Sequence, residues 1–513
     1  MKIVLVALYD IRSYGIRILH SILEANGFDV TSIFFNKDMQ SGKYYSETEL
    51  NLLVSTIKLQ RPDIVGIGVR SPLFQLHKKL FHKIRQKMDT IILVGGHHAT
   101  IAPEDCIEYA DIVCLGEGEY PTLELCERLS NSDAINDTKN LWIKANGQVI
   151  KNDLRPLIRN LDDVPFPSYS RHNQLYIQDG RLVPDGLQYD SRTEMAIITT
   201  RGCFFNCSFC YNATLKKIYA GKGRYVRRRS VRNVIDEIMM LKRTFRRLSY
   251  IYFSDNVFTY GKTWIKEFCA VYPNEVNLPF GCFGHFVFLD PEMLRDLRNA
   301  GLRDITLGIQ SGSPYISSQI YNRKESRDLI IEGCKILSGL GIDVYYDLIT
   351  NNPYETYQTH EETLDLLMHL EKPYHIRNFK MKFFPKVPLT ERLLKDGIIS
   401  EGDIESNHER SFEEIWKEDI DLSRNKKRQE LFWDCVYFMV KHSFPKWLVT
   451  KISKSRSLRR RPKILAYPLK YLPYIFVLLK KEVKLILRGN VSTAIEELIV
   501  LIRRKKKGVG WGY

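Results

Sequence analysis

Three cysteines stand within eight residues, in the run Arg201-Gly-Cys-Phe-Phe-Asn-Cys-Ser-Phe-Cys-Tyr211. Cys203, Cys207 and Cys210 have CxxxCxxC spacing. Thiolates this close converge only where the loop wraps around something, and soft thiolates favour zinc or an iron–sulfur cluster. A closed structural zinc site wants a fourth Cys or His at short spacing. The next Cys is Cys269 and the next His is His285. Three ligands therefore suggest a [4Fe–4S] cluster with one open iron, able to chelate a substrate or cofactor. The plainer alternative is three incidental core cysteines, for which a loop offers no packing reason. The remaining cysteines are irregularly spaced and form no evident disulfide framework. Cys106, Cys114, Cys126, Cys269, Cys334 and Cys435 read as buried small residues, and Cys282 as a strand-end residue facing a pocket.

The elements around this run are alternating strands and helices. The cysteines follow a strand expected at Ala196–Thr199. Further strands are expected at Tyr250–Phe253, Phe280–Gly284, Ile305–Ile309, Val344–Ile349 and Lys380–Phe384, with helical patterns between them. Six such repeats suggest an open or partial (β/α) barrel with its site at the carboxyl strand ends. An earlier block alternates likewise, with apolar strands at Ile3–Leu8, Asp29–Phe35, Asp63–Val69, Thr90–Val94 and Ile112–Leu115. That pattern predicts a doubly wound, Rossmann-like parallel sheet whose ligands sit at the carboxyl ends. The loops there are Tyr9–Tyr14, Arg70–Leu73, Gly95–Thr100 and Gly116–Tyr120. The fold class is thus α/β. Residues 1–135 form the first domain, 136–190 a linker with a hairpin at Asn146-Gly147, and 191–388 the partial barrel. A helical extension covers 389–445 and a basic amphipathic region 446–513.

The formal net charge is +16, and its location is uneven. From Lys441 to Tyr513 there are 19 Lys and Arg against Glu482, Glu496 and Glu497, which accounts for the whole excess. Cations interleaved with apolar residues such as Ile464–Leu479 suit an anionic membrane surface. Nucleic acid is disfavoured, since no recognition module accompanies the charge. No apolar run reaches the ~20 residues that span a bilayer. No secretory leader is visible. The expected location is cytoplasmic, with peripheral contact at the inner membrane face.

CxxxCxΦC with Phe209 as the aromatic, after the first strand of a βα repeat and behind a sheet domain, resembles the cobalamin (B12)-binding radical S-adenosylmethionine (SAM) enzymes. The likeness runs over roughly residues 1–385. It implies that Cys203, Cys207 and Cys210 ligate three irons of a [4Fe–4S] cluster while the fourth chelates SAM. Phe209 would approach the adenine. Asp255, in Ser254-Asp-Asn256, stands where the SAM amino group is bound. Gln310 and Ser311, in Gly308-Ile-Gln-Ser-Gly312, resemble the glycine-rich fourth-strand segment. Asp347–Glu355 and Phe384–Thr390 resemble later family segments without their glycines. In the first domain, Gly95, Gly96 and His97 of Gly95-Gly-His-His-Ala-Thr100, and Gly116, Glu117 and Gly118 of Gly116-Glu-Gly-Glu119, would line the cobalamin tail. Asp10-Ile-Arg-Ser-Tyr-Gly15 has Arg12 where a cobalt-binding His stands in a related class, and a guanidinium cannot ligate.

The resemblance implies reductive cleavage of SAM to a 5′-deoxyadenosyl radical. It further implies methylation of an unactivated carbon of a small-molecule or lipid-like substrate, with an external electron donor. Cyclisation or oxidation without net methyl transfer is the alternative, and a non-catalytic electron-transfer protein is another. Adjacent His97 and His98 rarely aim at one ion; lining a cofactor or a plain loop role fits them better. Glu117 and Glu119 read equally as solvated charges, and Asp255 as a strand-end cap. His285, Tyr345 and Tyr346, beside barrel strands, read as substrate contacts or as core. No catalytic side chain is assigned.

Overall fold

The computed structural model describes residues 1–10, 12–36, 46–183, 192–405 and 427–470. Most of the basic C-terminal region lies outside the described residues.

The first sheet takes nine strands: β1 (Lys2–Leu8), β2 (Asp29–Asn36), β3 (Ile64–Gly68), β4 (Ile91–Gly95), β5 (Ile112–Cys114), β6 (Leu141–Ala145), β7 (Gln148–Lys151), β8 (Gln174–Gln178) and β9 (Arg181–Val183). Their spatial order is β7-β6-β5-β4-β3-β1-β2-β8-β9. β1 to β5 are mutually parallel. They are near-continuous apolar runs because helices cover both faces, and six of the seven β1 residues are buried. Strand order reverses at β1, between β2 and β3, so the carboxyl ends there open a crevice.

The segment expected as a linker with one hairpin adds four strands to the first sheet. The hairpin β6–β7 pairs antiparallel to β5, β8 adds parallel to β2, and β9 folds back on β8. Buried Arg17 fixes this addition. Its Nη1 donates to Ser168 O at 2.8 Å and Gln174 Oε1 at 2.7 Å, and its Nη2 to Tyr176 Oη at 3.1 Å. The guanidinium also lies 4.1 Å from the Phe34 ring centroid and 4.6 Å from that of Tyr169.

The second sheet has six parallel strands in chain order: β10 (Glu194–Ile197), β13 (Tyr250–Phe253), β14 (Phe280–Gly284), β15 (Leu302–Gln310), β16 (Asp343–Thr350) and β17 (His375–Lys380). This is the open barrel the repeats suggested. A two-strand ribbon, β11 (Thr200–Arg201) with β12 (Arg227–Arg228), stands beyond its first strand. β17 precedes the expected Lys380–Phe384. The apolar run misled, since β17 turns Arg377 onto Asp347 of β16 and four of its six residues are polar. Cys282 is fully buried core on β14, not a pocket residue. Pleat alternation splits the tyrosine pair: Tyr346 is buried, whereas Tyr345 is half-buried and stacks on His375 at 4.8 Å. Helix Arg428–Lys441 has ten consecutive buried residues and packs beside helix Tyr357–His369, where His360 Nδ1 and Tyr437 Oη lie 3.0 Å apart.

Helix Phe74–Lys87 buries His77 completely, its Nδ1 2.7 Å from Leu73 O. Burial pushes this imidazole down to about 4. The folded chain excludes the proton that the unfolded chain binds near 6.5, so stability is complete above 6.5 and falls as pH drops towards 4. His77→Gln should flatten this fall by about 3 kcal/mol. Urea midpoints of the two proteins between pH 7 and 4 check it.

Candidate functional site

The cysteine run has little regular structure of its own and is held from outside. β10 ends at Ile197, and Asp255, just past the end of β13, receives the next residues. Its Oδ1 accepts from Thr199 N at 2.8 Å, Thr200 N at 2.5 Å and Thr200 Oγ1 at 2.6 Å. Its Oδ2 accepts from Thr199 Oγ1 at 3.1 Å. Burial pushes the Asp255 carboxyl up, opposed by the Arg228 guanidinium and these bonds. The carboxylate that the resemblance sets at the SAM amino group holds the chain's own turn. Its neighbour Asn256 donates to Gly202 O at 3.0 Å and accepts from Asn212 Nδ2 at 3.3 Å. It thus ties together the two ends of the cysteine loop.

Cys203, Cys207 and Cys210 are all free and partly exposed. Burial raises all three thiols, Cys207 to about 11, and Arg323 draws each of them down. Arg323 is itself buried, donating to Gly308 O at 2.8 Å and paired with Glu325 at 2.5 Å. Burial works to raise Glu325, but the hydrogen bond from His285 at 2.7 Å and the Arg323 charge hold it at about 2. His285 stacks on Phe205 of the cysteine loop, centroids 3.6 Å apart. The sequence reading missed Arg323 and Glu325, although both lie in the charged run Asn322-Arg-Lys-Glu325.

Phe209 packs edge-on against Tyr321 at 5.0 Å. Gln310 ends β15 with φ of +65°, past a register shift against β16. Ser311 is buried, its Oγ 3.2 Å from Thr363 Oγ1 and accepting from Ser313 N. Its hydroxyl is occupied within the fold.

On the first domain, Gly95 ends β4 and Gly96 follows with φ of +103°. A Cβ on Gly96 would meet Val69 O at 2.8 Å, and one on Gly116 would strike the Tyr219 hydroxyl. The close approach that these glycines permit is made to the chain itself. His98 is buried, its Nδ1 2.9 Å from Ser71 Oγ. His97 keeps an accessible ring 4.6 Å from Tyr211, the residue after Cys210. Surrounding protein, and then Arg70, lower its pKa. Gly118 precedes helix Glu119–Ser130.

Glu117 and Glu119 face the barrel rather than solvent. Glu117 Oε1 accepts from Arg201 Nη1 at 2.9 Å, and its Oε2 from Ile158 N at 2.8 Å and Arg227 Nη1 at 3.0 Å. Glu119 accepts from Arg201 Nη2 at 2.5 Å. Burial would raise Glu117, yet Arg201 and Arg227 hold it below the usual carboxylate range.

The residues fit the expected groups. Among the described residues no three His, Cys, Asp or Glu groups converge on one mononuclear ion. A cluster asks something else, one thiolate on each of three irons, with nearby cations to balance the charge. Cys203, Cys207 and Cys210 beside Arg323, with Lys216 close to Cys203, supply that. The parallel strand ends of the first sheet, with accessible His97, face the same loop.

Comparison with known proteins agrees. The radical SAM superfamily model matches residues 197–367, and the B12 binding domain model matches residues 2–125. The chain thus joins a B12-binding domain to a radical SAM barrel. It belongs to the cobalamin-binding radical SAM enzymes, whose cofactors are a [4Fe–4S] cluster, SAM and cobalamin. An uncharacterized methyltransferase, PH0819 of Pyrococcus horikoshii, is 28% identical over 333 residues, 63% of this chain and 67% of the relative. Cytidylyl-2-hydroxyethylphosphonate methyltransferase of Streptomyces wedmorensis is 25% identical over 59% of this chain and 60% of its own. The match thus spans about two thirds of these relatives or less. The radical SAM methyltransferase TsrM of Kitasatospora setae, solved with cobalamin and a [4Fe–4S] cluster bound, superposes with a TM-score of 0.60 at 17% identity. That likeness is one of fold and covers 77% of this chain and 75% of TsrM.

Asp255→Asn leaves one acceptor oxygen for donors that now use two, at about 1.5–3 kcal/mol for each charge-assisted bond lost. Iron bound after anaerobic reconstitution should fall severalfold. Unchanged far-ultraviolet circular dichroism would show that the fold survives.

Proposed function

We propose that the chain methylates a carbon of a small-molecule substrate held in the barrel mouth. The observation that carries this is the seam itself. The accessible ring of His97 on the first domain meets Tyr211 beside the cysteine loop. When bound, the cluster and SAM supply radical chemistry and cobalamin supplies a methyl group. The chain's part is to bring these sites together and to orient substrate. Arg377 pairs with Asp347 at 2.7 and 3.1 Å and lies near the rings of Tyr345 and Phe379. A charged fork beside aromatic faces suits a substrate with one polar anchor and an apolar or planar body. The unactivated nature of the carbon is part of this proposal, supported by the radical machinery of the family.

The test is anaerobic incubation of the reconstituted, reduced protein with SAM carrying a deuterated methyl group. The expected result is S-adenosylhomocysteine together with 5′-deoxyadenosine, and a product that carries the label once a substrate is supplied. 5′-Deoxyadenosine alone would favour cyclisation or oxidation. Neither product would leave an electron-transfer protein.

A second reading concerns where the enzyme works. Residues 446–470 carry nine Lys and Arg and no acid. Trp447, Ile464 and Tyr467 are exposed among them, Trp447 at 68%. Lys446 donates to Met368 O and Arg459 pairs with Glu361, which fastens this segment to the barrel. Among the described residues no helix is long and apolar enough to cross a membrane. Aromatic side chains amid cations favour the interface of an anionic bilayer. The full chain should co-sediment with phosphatidylserine vesicles and not with phosphatidylcholine vesicles, and Trp447→Ala should weaken this severalfold. Equal sedimentation with both would sink the reading.

A further inference from the structure

The cysteine loop is gripped by the first domain at both ends. Before it, Arg201 lies two residues from Cys203 and binds Glu117 and Glu119 through separate nitrogens. After it, helix Tyr211–Ile218 starts directly at Cys210. Its first ring, Tyr211, rests on His97, and Tyr219 just past its end closes over Gly116. The first-domain loops are tied to each other as well: Gly116 N donates to Thr100 Oγ1 at 2.9 Å, and Thr100 Oγ1 donates to Gly96 O. The ribbon that sets Arg201 opposite Arg227 places two cations against this acidic loop. Side-chain exposure across the Arg201, Arg227, Glu117 and Glu119 group is 24% at most, so solvent screens it weakly.

We infer that Glu117, Glu119 and Arg201 are positioning residues that link the two cofactor sites, so that ordering the cysteine loop tightens cobalamin binding and cobalamin binding favours cluster assembly. Loops 95–100 and 116–119 stand at the carboxyl strand ends of the first sheet, where a ligand of that sheet binds. Any ligand that orders these loops acts on Arg201 and Tyr211, which flank the three thiols. Linkage makes the effect reciprocal: what the cluster does for cobalamin, cobalamin does for the cluster.

This inference rests on the two-cofactor reading, and the experiment separates them. Hydroxocobalamin binding is titrated anaerobically by absorbance on the full chain, once with the cluster reconstituted and once after iron is stripped. Wild-type protein should bind about five- to fifty-fold more tightly with the cluster in place. In Glu117→Gln, and in the milder Glu119→Gln, that ratio should fall to about one while iron content stays at the wild-type level. A domain that was merely damaged would weaken both titrations equally and keep the ratio. Equal affinities in the two wild-type states, or a ratio that survives both substitutions, would overturn the linkage. Hydroxocobalamin binding in neither state would overturn the cofactor reading, and the linkage with it.

Discussion

A single buried carboxylate governs where the chemistry can happen. Asp255 takes the backbone of Thr199 and Thr200 as β10 ends and turns it towards the cysteines. Ionising a carboxyl at this depth is costly, and four hydrogen bonds with the Arg228 charge offset part of that cost. Everything beyond depends on the turn it makes. Strand β11, the three thiols and the start of helix Tyr211–Ile218 all follow within a dozen or so residues. The loop that follows has little regular structure, and bonds from outside, such as Asn322 Nδ2 to Asn206 O at 2.9 Å, help to keep its three sulfurs in register.

Around that point the barrel arranges a second layer of charge. Arg323, Glu325 and His285 form a compact buried group, and His285 passes its position to the loop through the face of Phe205. The thiols sit where burial disfavours thiolates, and the guanidinium is the neighbour that opposes it. Such an environment suits ligands that give up their protons to a metal and keep them otherwise.

The sequence made some of this legible and hid the rest for definable reasons. CxxxCxxC spacing and apolar runs survive translation into structure because they depend on local periodicity. The parallel sheets and the cysteine loop were therefore found. Paired charges leave no such trace: Glu117 beside Arg201 looks the same in sequence as a solvated glutamate, since its partner is 84 residues away. Ser311 and Asp255 carried motif positions whose hydroxyl and carboxylate the fold had already engaged. Strand β8, Gln174–Gln178, was hidden by its polar ends, and its place is fixed by Arg17 from another element. β17 was misplaced because apolarity was followed where the strand's task is to carry Arg377.

The strands contributed by residues 141–183 also redefine what the first domain is. A fragment ended at residue 135 would bare β5 on one side of the sheet and β2 on the other, two apolar edges with open hydrogen-bonding groups. It would also strip buried Arg17 of three hydrogen-bond partners, Ser168, Gln174 and Tyr176. The first sheet thus runs through residue 183. The barrel's first strand starts at Glu194, so only about ten residues separate the two sheets, at most ~36 Å of extended chain. A connection that short holds the two halves of the seam at high effective concentration for each other.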